Sequence, residues 1–167
     1  MSLNIMWDNY FLNESQSTKL NFLKSISLFQ KLQLKELSIL ERTLHIRKYK
    51  KDEVIFNENE PGAALYIIEQ GKVEIFKSYD SNPILLTTLE EGMFFGELAL
   101  FDEKPRSATV IATNDCTLIA LSKPDFMLFC KKEAKIGNKI IMELGKILSS
   151  RLRVANEQIE ELKYSDV

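Results

Sequence analysis

Two short runs of sequence decide the fold: residues 94–100 read FFGELAL, and residues 105–110 read PRSATV. Gly96 lets the backbone turn sharply from a strand into a short helix that begins near Glu97. The start of a helix presents unpaired N–H groups and the positive end of its dipole, which suits a phosphate group. The sequence therefore predicts an anion site at this turn.

Arg106 is the second part of the predicted site. Pro105 disfavours helix in the residue before it, so we expect a strand to begin at Arg106. Period-two alternation places three small or apolar residues on the same inward face as this arginine: Ala108, Val110 and Ala112. A lone charge is costly to bury, so Arg106 needs an anionic partner, either Glu97 or a ligand phosphate.

The two runs together closely resemble the phosphate-binding cassette of cyclic nucleotide-binding domains. Such domains occur in bacterial cyclic-AMP receptor proteins, in regulatory subunits of cyclic-nucleotide-dependent kinases and in gated channels. The resemblance implies that Glu97 accepts a hydrogen bond from the ribose 2′-hydroxyl and that Arg106 grips the cyclic phosphate. It assigns ligand contacts to Gly96, Glu97, Leu98, Ala99, Arg106, Ser107 and Ala108. The run EPGAALYIIEQGKVEIF at residues 60–76 extends the likeness, which covers residues 28–162 approximately.

Composition excludes several classes of function. The chain has 167 residues, enough for one domain with extensions and a sizeable core. Its 22 basic and 24 acidic side chains nearly balance, and no stretch has the length and apolarity of a membrane span, so neither nucleic acid nor a membrane is an expected partner. His45 is the single histidine, and Cys116 and Cys130 lack metal-ligand spacing. We therefore expect reduced cysteines, a cytoplasmic location, and no metal or cofactor.

The pattern of secondary structure predicts a mainly β fold with flanking helices. No glycine or proline interrupts residues 4–43, which we predict to be helical, and residues 43–122 read as about seven or eight short antiparallel strands. Gly71 is expected to turn a hairpin between residues 65–68 and 73–76. This arrangement is typical of a jelly roll or a small barrel, and the resemblance specifies the β-roll of a cyclic nucleotide-binding domain.

The chain is predicted to have three parts. Residues 1–27 form an N-terminal helical extension, residues 28–135 form the cyclic nucleotide-binding β-roll, and residues 136–167 form a C-terminal dimerisation or lid helix. Within this division we predict a short helix over residues 126–132 and, after a break, a long helix over residues 139–163.

The long C-terminal helix carries apolar residues at steps of three and four, close to a coiled-coil seam. They are Ile141, Leu144, Leu148, Leu152, Ala155, Ile159 and Leu162. A helix docked along its own domain would show the same stripe, so both interpretations stay open. The helix also resembles the dimer helix of cyclic-AMP receptor proteins, which a DNA-binding domain follows at once. Here the chain stops at Val167, so we expect a homodimer that does not contact nucleic acid and acts on an unknown protein partner.

The resemblance also implies contacts to the base, and here the sequence departs from the family pattern. The hydroxyl residues that meet adenine in the receptor proteins correspond to Ala155 and Asn156, of which only the asparagine can hydrogen-bond through its side chain. Ser107 is the bacterial-receptor choice after the arginine, which favours cyclic AMP. Arg151 lies about one turn before Ala155 and within reach of Glu97. The implied pocket walls, which ordinary core packing explains equally well, are Ile75, Leu86 and Thr87.

These observations predict a non-enzymatic cyclic-nucleotide sensor, for cyclic AMP more than cyclic GMP, that signals by repositioning its C-terminal helix. The alternative is a nucleotide-independent protein-interaction module on the same fold, in which Arg106 and Glu97 form a structural salt bridge. An aromatic cluster near the start of the chain, formed by Trp7, Tyr10 and Phe11, motivates this alternative. No nucleophile–base pair can be identified, so no catalytic residue is assigned.

Overall fold

Eight antiparallel strands form two four-stranded sheets in the part of the chain that the computed structural model describes, residues 18–79 and 82–165. The strands are β1 His45–Tyr49, β2 Val54–Phe56, β3 Ala64–Gln70, β4 Lys72–Tyr79, β5 Asn82–Glu90, β6 Phe94–Phe95, β7 Thr109–Ala112 and β8 Cys116–Ser122. The first sheet has the order β1-β8-β3-β6 and the second the order β2-β7-β4-β5. The predicted antiparallel β-roll is confirmed. The predicted aromatic cluster of Trp7, Tyr10 and Phe11 lies outside the described residues.

Helices precede and follow the roll. Residues 18–25 form α1, and three further helices are α2 Leu34–Glu41, α3 Lys123–Lys132 and α4 Ala134–Ser165. Ser122 starts α3 because its side chain accepts a hydrogen bond from the Asp125 N–H, and Pro124 lies in the first turn, where no helical hydrogen bond is lost. Across residues 18–79 and 82–165, no helix combines the length and apolarity that crossing a bilayer requires.

α4 begins earlier than predicted, at Ala134 instead of residue 139. Gly137 does not interrupt it. A Cβ at Gly137 would lie 2.7 Å from Cys130 Sγ, so the glycine lets the first turn of α4 pack closely on α3. The predicted break is wrong because an isolated glycine costs a helix only about 1 kcal/mol. Burial of a side chain such as Ile140 stabilises the fold by more than this cost, roughly 1.5–3 kcal/mol.

Gly71 turns the chain, but not into the predicted hairpin. Its φ of 100° is a conformation that glycine adopts readily, and a Cβ there would lie 2.6 Å from Cys116 Sγ. β3 pairs with β6 and β8, whereas β4 pairs with β5 and β7. The hairpin prediction is therefore wrong: Gly71 is a corner at which the chain passes from one sheet to the other.

β7 begins at Thr109, three residues later than the predicted start at Arg106. The Arg106 N–H donates to Glu60 O at 2.8 Å, so a loop rather than a neighbouring strand holds this segment. The predicted alternation still holds, since Arg106 and Ala108 are buried and Ser107 is exposed.

The core lies on both faces of the first sheet. Leu65 and Ile67 of β3 pack with the helices, whereas Ile68 packs against the second sheet. Ile140 and Leu144 of α4 are fully buried on the helical side, while residues 149–164 are exposed. The first half of α4 is thus part of the core, and its second half extends beyond it.

Candidate functional site

A cavity of about 480 Å³ lies between the second sheet and the turn that follows β6. Its size falls in the range of small-molecule sites, about 300–1,000 Å³. It is lined by most of the predicted site residues, namely Ile75, Thr87, Gly96, Glu97, Leu98, Ala99, Arg106, Ser107, Ala108 and Arg151. Phe56 and Leu89 extend the apolar wall. The fold therefore gathers residues from β4, β5, the turn and α4 around one space.

Gly96 shapes the floor of this cavity. Its backbone is left-handed, with φ 72° and ψ 16°, and a four-residue 3-10 helix, Glu97–Leu100, follows it. A Cβ at this position would lie 2.7 Å from Arg106 Nη1 and 3.1 Å from Ala64 O, so a side chain has no room. The predicted sharp turn is confirmed, and the predicted short helix is a single 3-10 turn.

Arg106 is buried at the cavity wall without a carboxylate partner among the described residues. Only 7% of its surface is exposed. Nη1 donates to Gly96 O at 3.2 Å and Nη2 to Ala64 O at 2.9 Å, whereas Nε has no hydrogen-bond partner. Burial lowers the pKa of the guanidinium from its usual value. Arginine nevertheless stays protonated in proteins, so a full positive charge faces the cavity.

Aromatic rings form a shelf behind this guanidinium. Arg106 Cζ lies 3.9 Å from the centroid of the Phe56 ring, which itself packs against Tyr66 and Phe95 at 6.0 and 5.9 Å between centroids. A cation over an aromatic face is attracted by the ring quadrupole, which offsets part of the cost of burial. The sequence did not reveal this shelf, because Phe56 reaches Arg106 only through the pairing of β2 with β7.

Glu97 pairs with Arg151 of α4 rather than with Arg106. Arg151 Nη1 donates to Glu97 Oε1 at 2.7 Å and Nη2 to Phe94 O at 3.3 Å. The predicted contact between Arg151 and Glu97 is confirmed. The structural salt bridge between Arg106 and Glu97, which the interaction-module alternative requires, does not form in the described part of the chain.

Leu86 and Asn156 lie outside the lining of the cavity, in contrast to the other predicted site residues. A β-bulge opens between β4 and β5, where Ile75 pairs with Thr87 and the next pair omits Leu86. Leu86 is 55% exposed and does not line the cavity, so its predicted place in the pocket wall is wrong. Asn156 is exposed on the second half of α4, so its contact with a base stays a prediction.

The rim of the cavity carries charges of both signs. Asp102 and Lys104 line it, and Lys123 Nζ donates to Asp102 O at 2.8 Å. Within residues 18–79 and 82–165, no group of histidine, cysteine, aspartate or glutamate side chains is arranged to hold a metal ion. The cavity wall therefore presents the positive charge of Arg106, which suits an anion, and the carboxylate of Glu97, which suits a hydrogen-bond donor.

An antiparallel β-roll with such an anion site at the turn after its sixth strand defines a small-ligand-binding domain. The family model described as "Cyclic nucleotide-binding domain" matches residues 46–133, which are 88 of the 167 residues. The chain therefore belongs to the cyclic nucleotide-binding domain family. The matched range includes every cavity residue except Arg151 of α4.

Individual proteins agree with this assignment. The cyclic AMP receptor protein of Thermus thermophilus is 29% identical over 145 residues, covering 86% of this chain and 65% of the receptor. The human cGMP-dependent protein kinase 2 is 35% identical over 109 residues, covering 64% of this chain and 14% of the kinase. The crystal structure of the Thermus thermophilus catabolite activator protein has a TM-score of 0.75 at 30% identity, covering 82% of this chain and 63% of that one. This chain thus spans less than two thirds of the length of the receptor and of the kinase.

Proposed function

We propose that this chain is a regulatory sensor that binds a cyclic mononucleotide, cyclic AMP in preference to cyclic GMP, in the cavity beside Arg106. The observation that carries the proposal is the buried guanidinium, which has two neutral carbonyls as hydrogen-bond partners and an unpaired Nε. A buried charge without a counter-charge is costly. A cyclic phosphate is an anion whose oxygens match the donors of a guanidinium, so it supplies the missing partner.

The other cavity residues suit the remaining parts of this ligand. In the proposed complex, backbone N–H groups of residues 96–99 and 107–108 surround the phosphate. The Glu97 carboxylate accepts a hydrogen bond from the ribose 2′-hydroxyl, while Arg151 holds one of its oxygens in place. Ile75 and Thr87 line the side of the cavity where the purine ring is expected.

The proposed preference for cyclic AMP rests on two residues, Ser107 and Asn156. The relatives include both a cyclic AMP receptor and a cGMP-dependent kinase, so membership of the family does not select the base. Ser107 lines the cavity. The resemblance to bacterial cyclic-AMP receptors implies a serine at this position, directly after the arginine. Asn156 can donate and accept hydrogen bonds, and it meets the base in this proposal when the second half of α4 folds towards the cavity.

The proposed signal is a change in the position of α4. Arg151 connects this helix to Glu97, so a ligand that engages Glu97 alters the contact that holds the helix. Ligand binding shifts a conformational equilibrium only through a difference in affinity between the two states, and a near-complete shift needs about 5.5 kcal/mol. Contacts of the ligand with Glu97 and with the second half of α4 contribute to that difference.

The exposed apolar residues of α4 form the proposed homodimer interface. Leu152, Ile159 and Leu162 are all more than half exposed in the single chain. The downstream partner is proposed to be a protein rather than nucleic acid, since a net charge of −2 creates no strong positive field that would attract a phosphate backbone. The sensor is proposed to act in the cytoplasm, with its two cysteines reduced, and to perform no catalysis.

Calorimetric titration with cyclic AMP and cyclic GMP tests the proposal directly. We expect saturable binding of both nucleotides, tighter for cyclic AMP. Arg106→Ala should weaken binding by about 2–5 kcal/mol, because the phosphate then loses its buried partner. Arg47→Ala is the matched control, since Arg47 is exposed on β1 and does not line the cavity.

Two results would refute the sensor. One is wild-type protein that binds neither nucleotide, with no shift of its unfolding temperature across a nucleotide panel, which favours the interaction module. The other is unchanged affinity in Arg106→Ala, which would place the binding site elsewhere.

A further inference from the structure

A half-buried ion pair connects three separate segments beside the cavity. Lys77 Nζ of β4 pairs with Glu58 Oε1, in the loop after β2, at 2.5 Å. The same ammonium donates to the backbone oxygen of Ser107 at 2.7 Å. The two side chains are 27% and 13% exposed, so the pair is shielded from water more than an ordinary surface ion pair. Lys77 itself does not line the cavity.

The bond to Ser107 O fixes the orientation of one peptide group. In a trans peptide the C=O of one residue and the N–H of the next point in opposite directions, and the chain has no cis peptide bond within the described residues. Because the Ser107 carbonyl points to Lys77, the Ala108 N–H points away from Lys77. Ser107 and Ala108 both line the cavity, whereas Lys77 does not.

The Ala108 N–H is an unused donor at a buried position. Ala108 is 8% exposed, and its N–H makes no hydrogen bond to another described residue. Backbone donors that are buried away from water nearly always have an acceptor. The segment also lacks strand pairing, because β7 begins only at Thr109, so the ladder of β7 does not orient this peptide.

We propose that Lys77 and Glu58 are positioning residues for the anion site: together they aim the Ala108 N–H at one exocyclic oxygen of the bound cyclic phosphate. This inference rests on the proposed function, since it concerns how the same site holds its phosphate. Glu58 holds the ammonium in place and balances its charge, so that Lys77 acts through the Ser107 carbonyl and not as a second phosphate ligand. Glu58 N also donates to Thr109 Oγ1 at 2.9 Å, which keeps the loop against the same segment.

The test uses phosphorothioate analogues of cyclic AMP, in which sulfur replaces one or the other exocyclic oxygen. Sulfur is a weak hydrogen-bond acceptor, so a donor aimed at one oxygen makes the protein prefer one diastereomer. The variants are Lys77→Met, which keeps the apolar stem, and Lys77→Arg, which keeps a donor. Lys72→Met is the matched control, because Lys72 lies on the same strand and loses an ion pair with Glu90 but lies away from the cavity.

Lys77→Met is expected to weaken cyclic AMP binding roughly tenfold, the usual size for a charge-assisted hydrogen bond. Its ratio of affinities for the two diastereomers should move towards one. The loss of affinity on removing the ribose 2′-hydroxyl should stay as in wild type, since that group meets Glu97. Lys77→Arg should restore the diastereomer ratio, and Lys72→Met should leave it unchanged. Glu58→Gln should shift the diastereomer ratio in the same direction by a smaller amount. If Lys77→Met fails to fold, Glu58→Gln takes its place as the test variant.

The outcomes separate this inference from the function on which it rests. If wild-type protein binds no cyclic nucleotide, the proposed function fails and the inference fails with it. If wild type binds but shows no diastereomer preference, or if Lys77→Met and Glu58→Gln keep the wild-type ratio, the function stands and the positioning role is wrong.

Discussion

Arg151 and Glu97 are 54 residues apart in the sequence, yet their side chains meet at 2.7 Å and join the last helix to the floor of the cavity. Glu97 is buried in the 3-10 turn, whereas Arg151 lies just where α4 leaves the core. Leu144 is fully buried two turns earlier, and residues 149–164 are exposed. This ion pair is therefore positioned at the point where α4 stops packing on the rest of the domain.

Replacing Arg151 should loosen the second half of α4 without unfolding the domain. In Arg151→Met we expect faster amide hydrogen exchange over residues 148–156, because local opening no longer breaks an ion pair. The unfolding temperature should fall by only a few degrees, since a partly exposed pair contributes about 1 kcal/mol or less. Arg153→Met is the control, as Arg153 is exposed on the same helix. Equal exchange in both variants would contradict the assigned role.

A side chain at Gly96 should damage the cavity more than one at Gly92. Both glycines have positive φ, 72° and 82°, so alanine is strained at either position. Only at Gly96 does the new Cβ meet Arg106 Nη1, at 2.7 Å, while at Gly92 nothing lies within 4 Å. We expect Gly92→Ala to cost about 1–2 kcal/mol from backbone strain and Gly96→Ala at least about 1 kcal/mol more.

Urea unfolding of the two glycine variants measures this difference, and nucleotide titration extends it. Gly92→Ala should keep wild-type affinity because it leaves Arg106 in place. Gly96→Ala should bind more weakly because its Cβ displaces the guanidinium. Equal stabilities and equal affinities in the two variants would mean that the close approach of Arg106 to Gly96 has no energetic consequence.

The local chemistry of the site made much of it predictable from the sequence. The turn at Gly96 follows from the conformational freedom of glycine, and the burial of Arg106 beside Ala108 follows from alternation along an extended segment. These two inferences need only residues that are close in sequence. The contact of Arg151 with Glu97 joins residues 54 positions apart, and it was expected only because the resemblance places this part of α4 near the pocket.

Strand pairing was not predictable in the same way, because it depends on contacts between distant residues. The strands on either side of Gly71 read as a hairpin, yet β3 finds its partners in β6 and β8. The bulge beside Leu86 has the same origin, and a shift of one residue exchanges the faces of a strand. Thr87 pairs with Ile75 and lines the cavity with it, whereas Leu86 does not line it.

The contact between Glu36 and Lys139 should make the domain less stable in acid. Lys139 Nζ lies 2.7 and 2.9 Å from the two carboxylate oxygens of Glu36, which also accepts from the Gln33 N–H. These hydrogen bonds, that of Lys139 above all, lower the pKa of Glu36 below its usual 4.5. A carboxyl with a depressed folded-state pKa stabilises the fold above its unfolded pKa, and this contribution is lost as pH falls through the folded-state pKa.

We expect wild type to exceed Glu36→Gln in unfolding free energy by about 1 kcal/mol at pH 7. The difference should shrink as the pH falls below 4.5 and the wild-type carboxyl takes up its proton. Urea unfolding from pH 7 to pH 3 measures it, with Glu103→Gln, on an exposed loop, as the control. A difference that does not change with pH would show that shape rather than charge is responsible.

The spacing on α4 distinguishes two exposed apolar residues that look alike in the single chain. Leu152 is 63% exposed and Val154 is 49% exposed. Leu152 belongs to the series 148, 152, 155, 159, 162, which alternates steps of four and three as a coiled-coil seam does. Val154 lies off that series. Only Leu152 is therefore expected to be buried when two copies of the helix pair.

Leu152→Glu should weaken the proposed homodimer by at least about 2 kcal/mol, roughly 30-fold in dissociation constant, because it places a carboxylate in the proposed seam. Val154→Glu introduces the same charge where it remains in water, so its dimer should match wild type. Sedimentation equilibrium measures both, and circular dichroism checks that helix content is retained. If the wild type is a monomer at every concentration, the apolar series of α4 has no role in self-association. If the two substitutions weaken the dimer equally, exposure rather than position in the series explains the effect of both.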